Sequence, residues 1–227
     1  MNIAIIPARG GSKRIPRKNI KFFLGKPIIA YSIEAALDSK LFDKVVVSTD
    51  DKEIARVSKE YGAEVPFFRP KELSDDFTGA SDVVKHAINW FVEKGMEVNN
   101  VCCIYATAPF IKQQYLKEGC KSLQNSNKLF AFSVTSFAFP IQRAIKINND
   151  EISMYYPHHL LTRSQDLEGA YHDAGQFYWG KAQAFLDDEV IFSEKSIPVV
   201  LPRYLVQDID TLEDWHRAEL MYKASSQ

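Results

Sequence analysis

Short apolar runs alternate with helical patterns along most of the chain, and this alternation restricts the fold more than any other feature. Runs rich in β-branched or aromatic residues occupy residues 2–6, 43–48, 64–68, 101–105 and 129–134. Runs of this length and composition are typical of strands buried on both faces of a parallel sheet. The first run ends at Pro7, which cannot continue the ladder of backbone hydrogen bonds. We therefore predict a largely parallel sheet.

Segments between these runs carry apolar residues at helical spacing. They are residues 28–37, residues 54–61 with Asp50 or Asp51 as N-cap and Gly62 beyond the end, and residues 83–91 with a stop at Gly95. Strands that alternate with helices form right-handed βαβ units. We predict an α/β fold, a three-layer α/β/α arrangement with a doubly wound, mostly parallel sheet, in a single domain over residues 1–227. Ligands in such folds bind beyond the carboxyl ends of the strands.

Overall charge argues against several classes of partner. The chain has 28 basic and 29 acidic residues and a formal net charge of -1, which disfavours generic binding to nucleic acid or membrane surfaces. No apolar run approaches the ~20 residues that span a bilayer, and no signal pattern precedes the first strand. We expect a cytoplasmic protein.

Cys102, Cys103 and Cys120 lack C-x-x-C spacing and are expected to be reduced core residues.

The alternating pattern is lost after about Ser136 and returns near Gln176. Aromatic residues and the pair His158 and His159 crowd this part of the chain without clear period. We interpret residues 137–175 as an excursion from the sheet that makes a dimer contact, forms a lid or binds substrate. The two histidines lack the partner spacing of a zinc site, so a dimer contact is the preferred interpretation.

One connection is far longer than its position requires. About 20 residues separate Pro7 from Ile28, whereas such loops usually take 2 to 6 residues and longer ones tend to be functional. The loop has no acidic residue, and its basic residues are Arg9, Lys13, Arg14, Arg17, Lys18, Lys21 and Lys26. Seven uncompensated cations would repel one another unless an anion joins them, and a polyphosphate is the natural candidate. The alternative is a solvated basic loop.

Small residues in the same loop favour an anion site. Gly10 and Gly11 allow close approach of the backbone to an oxyanion, and Ser12 with the amides after it can donate hydrogen bonds. The loop matches neither the P-loop nor the dinucleotide fingerprint. The sequence therefore disfavours a P-loop ATPase and a dinucleotide-dependent dehydrogenase.

A pair of carboxylates follows an apolar stretch near the end of the chain. Asp208 and Asp210 lie on the same side of an extended segment, and oxygen ligands of this kind suit Mg²⁺, with Mn²⁺ as the alternative. Asp210 could instead cap the helix predicted over residues 212–224. A basic loop that binds phosphates favours the metal interpretation.

The segment from Pro7 to Asn19, PARGGSKRIPRKN, resembles the loop of cytidylyltransferases that make CMP-linked nonulosonic acids. Further matches in the family's order are residues 48–50, 69–76, 163–166 and 208–211. The resemblance covers nearly the whole chain. It implies a nucleotide-diphospho-sugar transferase-like fold, a homodimer, and transfer of CMP from CTP to the anomeric hydroxyl of a sugar acid with release of pyrophosphate.

Within this family, residues 77–79, 105–110 and 171–179 look most like the branch that acts on pseudaminic acid, whose product serves surface glycan or flagellin glycosylation. The sialic acid branch typically has glutamine at the position of Tyr105, which is the sharpest argument against sialic acid; a core tyrosine is the alternative. CMP-sialic or CMP-legionaminic acid synthesis remains the alternative in the same class. A KDO-type enzyme typically has a different loop from Ser12 to Pro16.

The resemblance also implies roles for individual residues. The expected nucleotide-binding residues are Ala8, Arg9, Gly10, Gly11, Ser12, Lys13, Lys18, Asn19, Arg69, Ser74 and Ala80. Among them, Arg9, Lys13 and Lys18 would act in catalysis with Asp210. Arg69 would help to read cytosine, with a surface salt bridge as the alternative.

The expected sugar-binding residues are Tyr105, Arg163, Gln165, His172, Gln176 and Tyr178. In the family, the element around Arg163 and Gln165 often comes from the neighbouring subunit. His172 and Asp173 could contact acyl groups of the sugar or make structural hydrogen bonds.

Two other classes of function fit parts of the pattern. A glycosyltransferase could use D-x-D and Mg²⁺ to consume a nucleotide sugar, but it has no need to hold a triphosphate. A non-catalytic nucleotide sensor would bind CTP without turnover, and the presence of both Asp208 and Asp210 disfavours it.

Overall fold

A computed structural model describes residues 1–225 and is organised around a six-stranded sheet. The strands are β1 (Asn2–Pro7), β2 (Phe22–Phe23), β3 (Lys26–Pro27), β4 (Lys44–Ser48), β5 (Asn100–Ile104), β6 (Phe130–Ser136), β7 (Ile145–Asn148), β8 (Glu151–Met154), β9 (Tyr171–Lys181) and β10 (Ser196–Val200). The α-helices are α1 (Ile28–Ser39), α2 (Lys52–Glu60), α3 (Ala80–Glu93), α4 (Gln113–Gln124), α5 (Ala182–Leu186) and α6 (Leu212–Ser225).

The central sheet has the strand order β10-β6-β9-β5-β1-β4. β1 pairs in parallel with β4 and β5, β10 pairs in parallel with β6, and β9 runs antiparallel between β5 and β6. This arrangement confirms the predicted mostly parallel sheet. The chain adds β4 on one side of β1 and then β5 on the other, so a crevice opens beyond the carboxyl ends of β1 and β5.

Helices cover both faces of the sheet, as predicted. Along β1, Ala4 and Ile6 belong to an apolar cluster with residues of α1, α2 and α4, whereas Ile3 and Ile5 belong to a second cluster with residues of α3 and α5. Successive side chains of a strand point to opposite faces, so a strand buried on both faces needs apolar residues at every position. The run at the start of the chain meets this requirement.

A third apolar cluster lies at the carboxyl end of the sheet and joins distant parts of the chain. Phe23 makes edge contacts with Tyr31 and Trp215, with ring centroids 5.6 and 5.5 Å apart. Ile15 of the basic loop and Ile209, between the two carboxylates, are buried in the same cluster. The cluster therefore holds the N-terminal loop against the segment that precedes α6.

The prediction of a strand over residues 64–68 is wrong. Within the described residues this segment makes single parallel bridges, between Val46 and Glu64 and between Thr49 and Phe68. Pro66 lies between them and cannot donate to a ladder, so continuous pairing is interrupted at the edge of the sheet. The segment still follows β4 and carries Arg69 to the carboxyl end of the sheet.

Residues 137–170 leave the sheet. In the part of the chain that the structure describes, β7 and β8 pair with each other in an antiparallel hairpin that does not join the central sheet. β9 begins at Tyr171, so the chain rejoins the sheet slightly earlier than predicted. Several large apolar side chains of this segment are exposed, among them Phe139, Ile147, Ile152 and Leu161.

Two further expectations concern the state of the cysteines and the presence of a membrane-spanning segment. Cys102, Cys103 and Cys120 are buried and unpaired, as the spacing predicted. Across residues 1–225, no helix is both long enough and apolar enough to cross a membrane.

The backbone of β9 packs closely against aromatic rings at Gly180. A Cβ atom at this position would lie 2.6 Å from atoms of both Phe130 and Phe185. We expect Gly180→Ala to lower the free energy of unfolding by roughly 1–3 kcal/mol, because overpacking forces rigid side chains out of place. Chemical denaturation measures the change.

Gly169→Ala is the matched control, because a Cβ atom there would meet no described heavy atom within 4 Å and the backbone is not left-handed. Equal stability of the two variants would contradict the close packing at Gly180.

Candidate active site

A cavity of about 300 Å³ opens beyond the carboxyl ends of β1 and β5. It lies at the crevice that the strand order creates, and its walls come from the basic loop, residues 69–83, residues 105–107 and Asp210. Of the residues predicted for the site, the cavity brings together Arg9, Ser12, Lys13, Lys18, Asn19, Arg69, Ala80, Tyr105 and Asp210.

The basic loop is not uncompensated, which corrects the expectation drawn from its local sequence. Carboxylates from distant segments approach most of its cations. Arg9 and Lys13 pair with Asp76, Arg14 and Lys18 with Asp210, Arg17 with Asp51 and Glu53, and Lys26 with Glu34. Lys21 places its ammonium group 5.3 Å from the centre of the Trp215 ring. The fold therefore supplies acidic partners that the loop itself lacks.

Arg17 has a structural role. Its guanidinium donates two hydrogen bonds, of 2.6 and 2.9 Å, to the carboxylate of Asp51. Asp51 also accepts hydrogen bonds from the backbone amides of Glu53 and Ile54 and is the N-cap of α2. The hydrogen bond from Arg17 is the main cause that lowers the pKa of Asp51 to about 2, and the same contact raises the pKa of Arg17. This pair fixes the loop to α2.

The carboxylates on the cavity wall are more exposed than Asp51. Arg9 Nη1 lies 2.7 Å from Asp76 Oδ1, and Lys13 contacts the other oxygen of Asp76. Arg14 and Lys18 approach one oxygen of Asp210 at 3.0 and 3.3 Å. Exposed pairs such as those of Lys13 and Arg14 each contribute about 0–1 kcal/mol, so a multivalent anion could replace the carboxylates on these cations. The wall can therefore accept a polyphosphate.

Arg69 is a buried cation with hydrogen-bonding capacity to spare. Its side chain lines the cavity with 6% of the residue exposed, and Nε and Nη2 have no hydrogen-bond partner among the described residues. Burial is the main cause that lowers its pKa, and the charge of Arg9 adds to the effect. The alternative of a surface salt bridge is wrong, because the residue is buried. A buried unpaired donor costs about 1–3 kcal/mol, which favours a ligand with acceptor atoms here.

Several predicted residues of the loop have other contacts. The amide of Gly10 donates to Asp50 Oδ1 at 2.9 Å, and a Cβ atom at Gly10 would lie 2.8 Å from an oxygen of Asp51. Ala8 is buried and its amide donates to the carbonyl of Ser48. Thus the small residue at position 10 is needed for packing against residues 50–51. A Cβ atom at Gly11 would meet no described heavy atom within 4 Å.

Ser74 and Asn19 support the cavity wall through backbone contacts. The Ser74 hydroxyl donates to the carbonyl of Pro70 at 2.9 Å, and the Asn19 amide donates to the carbonyl of Arg9 at 3.0 Å. Asn19 is itself buried and lines the cavity. Its contact holds the backbone of Arg9 in place.

The two carboxylates near the C-terminus differ in their surroundings. Lys18 Nζ donates to the carbonyl of Ile209 at 2.7 Å and holds the segment against the basic loop. Partial desolvation raises the pKa of Asp208 although the residue is exposed, and the neighbouring charge of Asp210 raises it further. Repulsion between two close carboxylates is relieved by a bound divalent cation, so this donor set fits one.

The alternative in which Asp210 caps α6 is wrong. Thr211 Oγ1 accepts a hydrogen bond from the amide of Asp214, and the Asp214 carboxylate accepts from the amides of Asp210 and Thr211. Thr211 and Asp214 therefore form the reciprocal pair that begins this helix. The side chain of Asp210 faces the cavity instead.

A metal at this position would need ligands from elsewhere. Across residues 1–225, no group of three or more His, Cys, Asp or Glu side chains converges on one metal position. Magnesium commonly binds one or two carboxylates and completes its shell with water and substrate phosphates. Asp208 and Asp210 match that pattern.

A second cavity, of about 190 Å³, adjoins the first and shares Ala80 and Tyr105 with it. Its walls include Tyr178 and Asp173, together with the apolar side chains of Val84, Phe185, Ile191 and Phe192. Burial raises the pKa of Tyr105 to about 12, and that of Tyr178 is also raised, mainly by burial. Both phenols are therefore neutral at physiological pH.

The other predicted sugar-binding residues lie elsewhere. Gln176 is buried with its amide nitrogen donating to the carbonyl of Leu205, and His172 packs its ring 4.8 Å from that of Phe137. Arg163 and Gln165 are exposed on the excursion, where Arg163 pairs with Asp166. The described chain does not bring these residues to either cavity.

No individual role was predicted for Asp75 and Asp76, although they lie in the segment from Ser74 to Ala80 whose resemblance implies contact with cytosine. Asp76 pairs with the cations, and Asp75 binds Phe77 and Thr78 to shape the same loop. An acidic pair shortly after Arg69 was the available signal. Asp173, which the sequence indicated as a contact to acyl groups of the sugar or a structural hydrogen-bond partner, lines the second cavity.

Comparison with known proteins agrees with this geometry. A family model described as Cytidylyltransferase matches residues 3–222. The chain is 51% identical over 226 residues to the pseudaminic acid cytidylyltransferase of Campylobacter jejuni subsp. jejuni serotype O:2, covering 99% of this chain and 97% of that relative. It is 30% identical over 232 residues to the CMP-N,N'-diacetyllegionaminic acid synthase of Legionella pneumophila, with coverage of 99% and 97%.

Among solved structures, the chain is similar to CMP:2-keto-3-deoxy-manno-octonic acid synthetase complexed with CTP. The TM-score is 0.71 with 15% sequence identity, and the match covers 99% of each chain. At this level of identity the likeness concerns the fold. It agrees with the predicted nucleotide-diphospho-sugar transferase-like architecture.

The ion pair between Arg17 and Asp51 predicts a dependence of stability on pH. The pKa of Asp51 is lower in the folded chain than the usual aspartate value of 3.8, so the stabilisation is present above about pH 4 and is lost as the pH falls towards 2. We expect Asp51→Asn to lower the free energy of unfolding at pH 7 by about 2 kcal/mol, since one pKa unit corresponds to about 1.4 kcal/mol. Asparagine keeps the capping oxygen. Urea denaturation at several pH values measures the difference between variant and wild type, which should narrow below pH 4.

Glu60→Gln serves as the control in the same helix, since Glu60 forms an exposed pair with Arg56. We expect a loss of about 0.5 kcal/mol or less. A similar loss for both variants would contradict a structural role for Arg17.

Proposed function

Because the chain belongs to the cytidylyltransferase family, we propose that it transfers CMP from CTP to the anomeric hydroxyl of pseudaminic acid. One observation carries this proposal: a single cavity combines accessible cations, a buried guanidinium with unpartnered nitrogens and a carboxylate that faces them. A nucleoside triphosphate has the complementary groups, namely a polyanionic tail and a base with acceptor atoms.

The proposed reaction is an in-line displacement at phosphorus. The hydroxyl oxygen of the sugar acid bonds to the α-phosphorus, the bond from that phosphorus to the bridging oxygen of the β-phosphate breaks, and pyrophosphate leaves. The hydroxyl proton is released. Negative charge grows on the leaving pyrophosphate, so fixed cations around it stabilise the transition state more than the ground state.

We assign the triphosphate to the cations of the basic loop. Arg9, Lys13 and Lys18 line the cavity, and their present partners, Asp76 and Asp210, are accessible carboxylates. Each charge-assisted hydrogen bond to a phosphate oxygen contributes about 1.5–3 kcal/mol, more than an exposed ion pair. A triphosphate carries several such oxygens, so it can contact more of these cations at once than a single carboxylate can.

Asp208 and Asp210 would hold the divalent cation, Mg²⁺ or Mn²⁺. Such a cation neutralises phosphate charge and lowers the pKa of a hydroxyl bound to it. The raised pKa of Asp208 beside Asp210 supports this assignment, because a cation would relieve the repulsion between the two carboxylates.

We assign the cytosine base to the wall formed by Arg69, Asn19, Ala80 and the segment that begins at Ser74. Cytosine offers acceptors at its ring nitrogen and carbonyl, and the unpartnered Nε and Nη2 of Arg69 are donors of matching type. Recognition of these acceptors would satisfy buried groups that otherwise remain unpaired. This match supports selection of CTP.

Pseudaminic acid is favoured over other nonulosonic acids on two grounds. The relative named for pseudaminic acid is 51% identical to the chain, whereas the relative named for a legionaminic acid is 30% identical. Tyr105 also contributes an aromatic ring to the wall between the two cavities, which suits a less hydroxylated sugar. Family membership, meanwhile, disfavours the D-x-D glycosyltransferase alternative.

We further propose that the protein acts as a homodimer in the cytoplasm. Large apolar side chains of the excursion are exposed, with Ile147 and Ile152 each 68% exposed and Leu161 93% exposed. Burial of such a surface against a second copy would stabilise a dimer. Arg163 and Gln165 lie on the same excursion. In a dimer these side chains would contact the sugar acid bound in the other subunit.

A parallel substrate assay tests the proposed function. The protein is incubated with Mg²⁺ and either CTP, ATP, GTP or UTP, together with pseudaminic, legionaminic or sialic acid, and pyrophosphate release is followed. We expect the highest kcat/KM for CTP with pseudaminic acid. CMP-sugar consumption without pyrophosphate release would instead support a glycosyltransferase, and CTP binding without turnover on any acid would support a sensor.

Asp210 is a direct test of the proposed metal position. Asp210→Asn should lower turnover by at least ~10²-fold, because the lost charge acts on the developing charge of the reaction. Thermal unfolding should change little, since the residue does not cap α6. Glu213→Gln, an exposed change in the first turn of α6, is the control and should keep wild-type turnover. Normal turnover of the Asp210 variant would remove this residue from the metal site.

A further inference from the structure

One carboxylate joins the basic loop to the turn that precedes α3. Asp76 Oδ1 lies 2.7 Å from Arg9 Nη1, and the other oxygen of the same carboxylate contacts Lys13 Nζ. Arg9 Nη1 also donates a hydrogen bond to the backbone carbonyl of Asp75 at 2.5 Å. The two oxygens of Asp76 thus bridge two cations, as two oxygens of a phosphate group would.

Asp76 differs from neighbouring carboxylates in what holds it. The carboxylates of Asp51 and Asp75 each accept hydrogen bonds from two backbone amides. Across residues 1–225, the Asp76 carboxylate makes no hydrogen bond to the backbone, and its polar contacts are those with Arg9 and Lys13. Displacement of Asp76 from these cations would therefore break no contact with the main chain.

The turn that carries Asp76 is held by contacts of its own. Asp75 Oδ1 accepts hydrogen bonds from the amides of Phe77 and Thr78 at 3.0 and 2.7 Å, and from the Thr78 hydroxyl at 2.7 Å. These contacts keep residue 76 beside the cations whether or not its ion pairs are formed. A displaced Asp76 would thus remain close by, at a high effective concentration.

The charge of Asp76 places a penalty on any anion that binds here. Hydrogen bonds from Lys13 and then Arg9 lower the pKa of the Asp76 carboxyl group, so the group is ionised at physiological pH. A phosphate chain that reaches the same two cations must displace this carboxylate and then lie near its negative charge. The chain therefore binds less tightly than it would bind to unpaired cations.

Arg69 distinguishes two ligands that carry a phosphate chain. Its Nε and Nη2 have no partner among the described residues, and it lines the same cavity as Asp76. The base of a nucleotide can contact these donors and so offset the displacement of Asp76. Pyrophosphate has no base, so for that ion the penalty stands without compensation.

We propose that Asp76 is an internal competitor for the phosphate position. Its carboxylate contacts Arg9 and Lys13 in the free protein, is displaced by the triphosphate of CTP, and returns to these cations as pyrophosphate dissociates. It lowers the affinity of each phosphate chain by a similar factor, while contacts of the base keep CTP bound. This inference rests on the proposed function, because the cations are those assigned to the triphosphate.

Titration with pyrophosphate in the presence of Mg²⁺ tests this competition without catalysis. Asp76→Asn and Asp76→Ala should each bind pyrophosphate about five- to tenfold more tightly than wild type, because no charged carboxylate has to be displaced. Isothermal titration calorimetry measures the dissociation constants. Both replacements are needed, since asparagine can donate a hydrogen bond to phosphate and alanine cannot. Tighter binding by the asparagine variant alone would contradict the competition.

Glu72→Gln is the matched control, because it removes one negative charge from the same segment. Glu72 is exposed and does not line the cavity, and within residues 1–225 it forms no ion pair. Its variant should bind pyrophosphate within about twofold of wild type. An equal gain for the Glu72 and Asp76 variants would show a general effect of charge and overturn the proposal.

A double-mutant comparison isolates the contact with Lys13. Lys13→Ala removes one of the cations for which Asp76 is proposed to compete, so the gain from Asp76→Asn should be smaller in that background. An undiminished gain would overturn the proposal.

Kinetics supply a second readout. For Asp76→Asn, the inhibition constant of pyrophosphate and KM for CTP should both fall, whereas KM for the sugar acid should stay within about twofold. A raised KM for CTP would instead show that Asp76 orients Arg9 for substrate, and would overturn the proposal.

The two proposals can fail separately. If the Asp76 variants bind pyrophosphate no more tightly than wild type, the inference fails while the proposed function stands. If wild type releases no pyrophosphate with any nonulosonic acid, the proposed function fails, and the calorimetric titration still decides the role of Asp76.

Discussion

The packing of Phe23 against Trp215 is the contact on which the candidate active site depends. It unites a turn of the N-terminal loop with the last helix, and the same apolar cluster buries Ile15 and Ile209. Full burial of each large apolar side chain contributes about 1.5–3 kcal/mol. That energy holds the charged neighbours of Ile15 and Ile209 together, so Lys18 reaches the segment that carries Asp210 across almost the whole length of the chain.

Charge in this site is organised in two ways. The pair between Arg17 and Asp51 is bidentate, partly buried and linked to the start of α2, so it belongs to the framework. The other carboxylates, Asp76 and Asp210, are more exposed than Asp51 and lie on the cavity wall. The first kind keeps the loop in shape while the second kind leaves its cations accessible to an anion. Without the first kind of pair the loop would not be fixed to α2. Without the second kind its cations would not be accessible to an anion.

Sequence reasoning predicted α1, α2, α3 and α6 and four of the five proposed strands, because their side-chain periods depend on local geometry alone, but it did not predict α4 or α5. It failed at residues 64–68, where composition favours a strand but Pro66 and an edge position leave only single bridges. It also considered Asp210 as a helix cap, although Thr211 and Asp214 supply that contact. Such choices between neighbouring polar residues depend on backbone direction, which residue types do not specify.

By itself, the sequence determined the α/β architecture, the long basic loop, the carboxylate pair and the family to which they point. Each follows from residue types, their spacing and a motif within a short stretch of chain. The tertiary structure decided which cations are tied to the framework, that Arg69 is buried without partners for two of its nitrogens, and that Asp76 pairs with Arg9 and Lys13. These outcomes rest on contacts between distant segments, because ion pairing and hydrogen bonding depend on distances that only the folded chain sets.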